Sequence, residues 1–312
     1  MWRFLNLTAL TIVLAGCSMI TIDEAPPEDN IENERTFQIE QQNKETKDEI
    51  NDEVKDEVEK EKEQSKIQEL FEAMFQLNRG PDKNEDAEPI QYMALGDSLT
   101  RGIGDETKMY GYSGRLAEKL ERWPAITEVE LDNRGKNGRR SDQLLALLQK
   151  GHYDEELPEA DFMTMTLGGN DVMKVVKSDL FSLKKEMFDK ELIQFTQRYR
   201  DIIAEIRARN SEAPILLIGF YNPFSIITDE YTPFETIVNE WNDTIKQIAI
   251  DDQNACFVPI NDLFVTNAGM VYHTDFFHPS ASGYEQMTER IIEYMKLCDI
   301  EEMSEGRIGI EE

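Results

Sequence analysis

Four residues at widely separated points of the chain could together carry out acyl transfer. Ser98 follows an apolar run near residue 90, Asn170 follows another, and Asp275 and His278 stand three residues apart near the end. A serine hydroxyl is a poor nucleophile until a base takes its proton; histidine is that base, and an aspartate fixes its tautomer. An asparagine amide can meet the developing oxyanion. The set predicts a serine nucleophile acting on acyl compounds.

From residue 90 onward, short apolar runs alternate with amphipathic segments, which predicts a parallel sheet covered on both faces by helices. The predicted strands are Ile90–Leu95, Ala125–Leu131, Asp161–Leu167, Pro214–Phe220 and Ala255–Ile260. The predicted helices are Ser113–Arg122, Ser141–Gln149, Glu191–Arg209, Pro233–Asp251 and Ser282–Lys296. We therefore expect an α/β fold: a three-layer α/β/α sandwich with a doubly wound, mainly parallel five-stranded sheet. Ser98, Gly138 and Asn170 follow the first three strands, at the sheet edge where such folds bind ligands.

The overall charge excludes some functions. The 312 residues include 33 Lys and Arg against 63 Asp and Glu, a formal charge of −30. This charge argues against nonspecific binding to nucleic acid or to anionic lipid, and we expect no nucleic-acid partner. With three histidines and no paired-cysteine or HExxH spacing, we expect no metal and no cofactor.

The N-terminus has the pattern of a targeting segment. Phe4–Ala15 is almost unbroken apolar sequence, too short to span a bilayer, and it ends in Leu14-Ala15-Gly16-Cys17. This tetrad resembles a bacterial lipobox, in which the cysteine is lipidated; the alternative is an ordinary secretory signal peptide with a chance cysteine. We expect a lipoprotein signal peptide at 1–16 and an acidic spacer, largely disordered or helical, at 17–88. The protein would then be extracytoplasmic and anchored to the cell membrane through Cys17.

The two other cysteines leave an alternative open. Export would permit a disulfide between Cys256 and Cys298. Because Cys256 lies in an apolar strand, two unpaired cysteines in or near the core are at least as consistent with the sequence.

Four sequence blocks carry a resemblance to a known family. They are Gly96–Leu99, Asn133–Gly138, Gly168–Asp171 and Asp275–His278, all in order. The chain resembles the SGNH hydrolases, also called GDSL-type lipases and esterases, over roughly residues 89–300, and among them it looks most like the YpmR-like lipoproteins. Residues 301–312 would be an acidic tail.

The resemblance implies a role for each matching residue. Ser98 is the nucleophile, His278 the general base and then the general acid, and Asp275 the partner of the other imidazole nitrogen. The oxyanion hole comprises the N–H groups of Ser98 and Gly138 and the side-chain amide of Asn170. Gly138 would suit this role because a close backbone approach tolerates no side chain. The activity implied is hydrolysis of carboxylic esters: lipid esters or O-acetyl groups of envelope glycans.

Residues around the predicted site bear on specificity. Arg101, Arg139 and Arg140 form a basic cluster that could attract an anionic lipid or a cell-wall polymer; the alternative is solvated charges paired with nearby aspartates. The segments 172–190 and 221–234 could hold an acyl chain or could be ordinary packing. We expect Asp97 to brace the nucleophile turn and Asp171 to cap the helix that follows Asn170.

Two other functions remain open on this sequence. An acyltransferase could use the same triad, and a noncatalytic envelope-binding lipoprotein could retain the fold. Keeping Ser98, Asp275 and His278 together argues against the second.

Overall fold

The computed structural model describes residues 89–178, 182–225, 233–266 and 268–309. The predicted signal peptide, the lipidated Cys17 and the acidic spacer at 17–88 lie outside these residues. Within them, no helix is long and apolar enough to cross a membrane.

Five parallel strands form one sheet in the order β2-β1-β3-β4-β5. The strands are β1 (Ile90–Gly96), β2 (Val129–Gly135), β3 (Phe162–Thr166), β4 (Ile215–Ile218) and β5 (Ala255–Val258). The three inner strands β1, β3 and β4 are almost wholly buried, as expected for continuous apolar runs between two helical layers. The predicted five-stranded α/β sandwich is confirmed.

Helices cover both faces of the sheet. In chain order they are α1 (Ser98–Arg101), α2 (Gly111–Leu120), α3 (Ser141–Gln149), α4 (Gly169–Ser178), α5 (Lys185–Arg207), α6 (Pro233–Asp252), α7 (Ala281–Leu297) and α8 (Ile300–Met303). Helices α2 and α7 pack together on one face, and α5 packs on α3 and α6 on the other. Each predicted helix is present, with ends that differ by up to six residues.

Strand β2 departs most from its predicted range. It begins at Val129 rather than at residue 125, because the chain makes successive turns there: Trp123 donates its N–H to Leu120 and Ile126 donates to Trp123. It also continues to Gly135, which pairs with Gly96 of β1. Since β2 is an edge strand, its last residues are polar and carry no apolar signal.

The domain continues past the predicted boundary at residue 300. Residues 301–309 are not a separate tail: Ile300 and Ile308 are fully buried. The Arg307 guanidinium binds the carboxylate of Asp161 at 2.9 Å and the carbonyl of Pro89 at 2.7 Å. The acidic composition of this segment did not indicate the buried Ile308 or the contacts of Arg307 that fasten the segment beside the start of β1.

Cys256 and Cys298 form a disulfide, with their Cα atoms 6.2 Å apart. It joins β5 to the residue that ends α7. Of the two alternatives left open by the sequence, the structure therefore has the paired one.

Candidate active site

The nucleophile turn is formed where β1 passes into α1. Asp97 is the N-cap of α1, and its carboxylate accepts the N–H of Leu99 at 3.0 Å, so it braces this turn as predicted. Gly96 has φ +141°, and a Cβ there would lie 2.4 Å from the carbonyl oxygen of Thr166. Only glycine fits this conformation and this close approach. The turn presents Ser98 as the first residue of α1 at the carboxyl end of the central strands.

His278 lies within hydrogen-bond distance of both Ser98 and Asp275. Nε2 of His278 is 3.0 Å from Oγ of Ser98, and Nδ1 is 2.7 Å from Oδ2 of Asp275. This geometry suits proton transfer from the hydroxyl to a histidine whose other nitrogen donates to a carboxylate. The structure therefore brings together the three residues selected from the sequence.

A short turn sets the positions of Asp275 and His278. The other oxygen of Asp275, Oδ1, accepts the N–H groups of Phe277 at 3.0 Å and His278 at 2.9 Å. Tyr221 Oη donates to the carbonyl of Phe277 at 2.5 Å and fixes the turn to the domain. Burial tends to raise the pKa of Asp275, but the hydrogen bonds from His278 and the two backbone N–H groups lower it to about 2. The carboxylate therefore remains ionised wherever a histidine titrates.

The predicted oxyanion donors lie beside the nucleophile. Asn170, near the start of α4, lines the same cavity as Ser98, and its amide donates to the carbonyl of Arg139 at 3.1 Å. Gly138 shares a second cavity with Asn170. Gly138 was expected because a close backbone approach would leave no room for a side chain, but an added Cβ there would meet nothing within 4 Å. Glycine is favoured instead because the backbone is left-handed at this position, with φ +79°.

A row of buried hydroxyl groups runs from Asp97 into the core. Oδ1 of Asp97 accepts from Thr166, and the row continues through Thr100, Tyr112, Thr164 and Tyr92, with oxygen–oxygen distances of 2.8–3.2 Å. Burial raises the pKa of Asp97 to about 6, even though Leu99 and Thr166 donate hydrogen bonds to it. The row holds the ends of β1 and β3 against α2 beneath the nucleophile.

Asp171 caps a helix, but not the one predicted. Its carboxylate accepts the N–H and the hydroxyl of Ser141, the first residue of α3, at 3.0 and 2.6 Å. It also accepts from Arg198 of α5 at 3.2 Å. Asp171 thus fastens α4 to α3 and α5, and burial raises its pKa to about 6.

An apolar cavity opens beside Ser98, with a volume of about 40 Å³. Its apolar lining comes from both segments predicted to shape a pocket and from neighbouring residues: Leu99, Val172, Met173, Phe220, Tyr221, Pro223, Phe234 and Phe277. Phe277 was not predicted to line the cavity. Its position between Asp275 and His278 in the sequence is the signal that could have indicated it. Four other apolar residues of the segment 172–190 were expected at the pocket. Val175 and Val176 are buried in the core, and Leu180 and Phe181 lie outside the described residues.

The predicted basic cluster is not a single surface. Arg139 is only 1% exposed, and it donates to the carbonyl of Arg134 at 2.6 Å, so it cannot attract a substrate. Arg101 lines neither cavity described above. Arg140 does line the cavity shared with Asn170, but it is paired with Asp142 at 3.1 Å.

A second histidine, His273, lies beside the triad. Its Nδ1 is 3.7 Å from Oδ1 of Asp275, and this nitrogen is buried without a hydrogen-bond partner in the described part of the chain. The described residues contain no cluster of three or more His, Cys, Asp or Glu able to hold a metal ion.

Comparisons with known proteins agree with this arrangement. The model of the GDSL-like lipase/acylhydrolase family matches residues 94–286. The uncharacterised protein YpmR of Bacillus subtilis is 32% identical over 211 residues, which cover 67% of this chain and 82% of YpmR. The spore germination lipase LipC of Bacillus licheniformis is 28% identical over 211 residues, covering 65% of this chain and 94% of LipC.

A solved structure shares both fold and sequence features. The lipase Lip_vut3 from a goat rumen metagenome is 26% identical, with a TM-score of 0.57, and the match covers 66% of this chain and 97% of that one. The predicted resemblance to this family, and to YpmR within it, is confirmed. This chain belongs to the GDSL-like lipase/acylhydrolase family and is a carboxylic ester hydrolase.

Proposed function

We propose that the protein hydrolyses esters through Ser98, His278 and Asp275. Oγ of Ser98 attacks the ester carbonyl carbon while its proton passes to Nε2 of His278. The bond to the alcohol oxygen breaks as His278 returns that proton to the leaving group. His278 then takes a proton from a water molecule that attacks the acyl-serine. It gives this proton to Oγ of Ser98 as the bond from Oγ to the acyl carbon breaks and the carboxylic acid leaves.

The observation that carries this proposal is the unbroken hydrogen-bonded path from Ser98 through His278 to Asp275, at 3.0 and 2.7 Å. The low pKa of Asp275 supports its role, because an ionised carboxylate stabilises the imidazolium formed in each step. The backbone N–H groups of Ser98 and Gly138 and the side-chain amide of Asn170 are the expected oxyanion donors. In the described residues, the N–H of Gly138 donates to no protein acceptor, so it is available to a substrate oxygen.

The cavity beside Ser98 favours a short acyl group. A volume of about 40 Å³ accommodates about three water-sized groups. An acetyl or butyryl group suits this space, whereas a long lipid chain would require the lining to open. Among the candidates from the sequence, O-acetyl and other short acyl esters are therefore our proposed substrates.

A series of p-nitrophenyl esters from acetate to palmitate tests both points. We expect the highest kcat/KM at two to four acyl carbons, and loss of at least about 10³-fold in kcat for Ser98→Ala. A fluorophosphonate probe should label the wild type but not Ser98→Ala. Unchanged hydrolysis in Ser98→Ala would refute the nucleophile, and an optimum at long chains would refute the acyl preference.

We also propose that the protein is exported and anchored through lipidated Cys17. The support is sequence alone: small residues precede Cys17 at the end of a short apolar run. Cells expressing the full chain and fed an alkyne fatty acid should incorporate it into the wild type but not into Cys17→Ala. Equal incorporation, or none in either, would contradict the anchor.

A further inference from the structure

A second cavity, of about 400 Å³, lies beside the oxyanion donors. We call it the cationic groove; its lining residues are Gly138, Arg140, Asn170, Lys174, Lys177 and Ser178. Asn170 lines both this groove and the apolar cavity beside Ser98. A molecule bound at Ser98 therefore has the groove directly next to it.

The two cavities adjoin at helix α4. Val172 and Met173 line the apolar cavity, whereas Lys174 and Lys177, which lie at i+4 and i+7 from the shared Asn170, line the groove. Apolar contacts and positive charge are thus offered next to each other along this helix. This is the division expected for an ester with an uncharged acyl part and a negatively charged remainder.

Among the described residues, no carboxylate pairs with the two lysines of the groove. Lys174 and Lys177 are both exposed, and within this part of the chain neither forms an ion pair or a hydrogen bond to another side chain. Arg140 adds a third cation, although Asp142 accepts from it. The groove therefore places three cations together on a chain of formal charge −30.

We propose that the cationic groove binds a phosphate group on the alcohol part of the substrate, so that the enzyme prefers short acyl esters of phosphorylated alcohols. The proposal rests on the ester hydrolysis proposed above. The alcohol part is assigned to the groove because the apolar cavity takes the acyl part. Exposed lysines act as point charges that a phosphate can approach without a fixed geometry, and their field also attracts it from solution.

The test compares 1-acetylglycerol 3-phosphate with uncharged 1-acetylglycerol on the full chain. The wild type should have the higher kcat/KM for the phosphate ester, and the preference should fall between about 0.05 and 0.5 M salt because salt screens exposed charges. In Lys174→Gln/Lys177→Gln, KM for the phosphate ester should rise by about 3- to 30-fold. Lys246→Gln removes one positive charge from an exposed position on α6, away from the groove, and should retain the preference.

Two further substrates locate the charge and its source. 1-Succinylglycerol carries its negative charge on the acyl part, and it should not be preferred over 1-acetylglycerol. 1-Palmitoylglycerol 3-phosphate carries the same phosphate on a lipid; a lower kcat/KM than for the acetyl compound would assign the phosphate to a small or polymeric polyol rather than to a lipid.

The failures are distinguishable. Equal kcat/KM for the phosphate and uncharged acetyl esters, or an equal effect of Lys246→Gln and the double variant, would overturn the groove while leaving ester hydrolysis intact. Absence of turnover on every ester, with no Ser98 labelling, would instead overturn the proposed function.

Discussion

Replacing Arg115 of α2 by methionine should destabilise the domain far more than the same replacement at the exposed Arg122, which lies just past the end of α2. Asp105, in the loop after α1, has a fully buried side chain paired with the Arg115 guanidinium at 2.9 Å. Its carboxylate also accepts the N–H groups of Thr107, Met109 and Gly111. Arg115→Met leaves this carboxylate buried without a cation, which costs about 3–5 kcal/mol of unfolding free energy.

The pKa of Asp105 gives a second figure for the free energy of the interactions that hold its carboxylate. Burial by itself raises this pKa, but the hydrogen bonds from Arg115 and Thr107, with the Arg115 charge, lower it from 3.8 to about 2. At about 1.36 kcal/mol per pKa unit, this difference corresponds to about 2 kcal/mol in favour of the ionised form. Because the folded pKa is the lower one, this stability is present above about pH 4 and is lost as the pH falls toward 2.

Urea unfolding followed by circular dichroism at pH 7, 4 and 2.5 measures both effects. The wild type should lose stability between pH 4 and 2.5, and Arg115→Met should lose much less, because its Asp105 has no cation to lower the pKa. The matched control is Arg122→Met, whose exposed pairing with Glu118 should contribute under about 1 kcal/mol. Equal losses in the two variants at pH 7, or the same pH dependence in Arg115→Met and wild type, would refute this reasoning.

The loop that holds Asp105 is also bonded to the start of α7, next to the turn of Asp275 and His278. A loss of activity should therefore accompany the loss of stability. Tyr284 Oη donates to the carbonyl of Ile103 at 2.7 Å, and the N–H of Ala281 donates to Glu106 at 2.8 Å. Both bonds join the loop to the start of α7, directly after His278. We expect lower kcat in Arg115→Met at temperatures where it is still folded.

Three other perturbations have defined outcomes. Asn170→Ala should lower kcat by about 10²–10³-fold with a smaller change in KM, because an oxyanion donor acts in the transition state; a change confined to KM would contradict this role. Asp97→Asn should raise the unfolding free energy at pH 8 by about 1–3 kcal/mol. The pKa of Asp97 in the folded protein, about 6, lies above 3.8, so ionisation of Asp97 destabilises the fold as the pH rises through that range. In denaturant titrations, the gain should vanish below about pH 3.5. Cys256→Ala/Cys298→Ala should lower the unfolding free energy by about 4 kcal/mol, from the loop of 42 residues that the disulfide closes, and reduction of the wild type should reproduce that loss.

The sheet and the triad could be predicted because their signals are local. Each inner strand is a continuous apolar run, and Ser98, Asn170, Asp275 and His278 lie in short blocks whose order is readable along the chain. The four-residue helices α1 and α8 were not predicted, because a single turn is too short to show a 3.6-residue period.

The features that the sequence did not predict depend on distant contacts. Arg139 and Lys174 carry the same charge, yet one is buried under the oxyanion donors and the other is exposed on α4; no local pattern separates them. The pairing of Cys256 with Cys298 required β5 and the end of α7 to meet. Ile308 is buried although it follows a run of acidic residues, because packing on the domain outweighs local composition.

The position of β1 has a mechanical consequence. This strand begins the domain, and it lies between β2 and β3 with hydrogen bonds to both. Arg307 donates a hydrogen bond to the carbonyl of Pro89, the residue directly before the strand. A pulling force on the chain ahead of Pro89 would act along the strand axis and load both rows of hydrogen bonds in shear at once. An edge strand would instead peel away one bond at a time, so this arrangement makes the domain resistant to force applied at its N-terminal end.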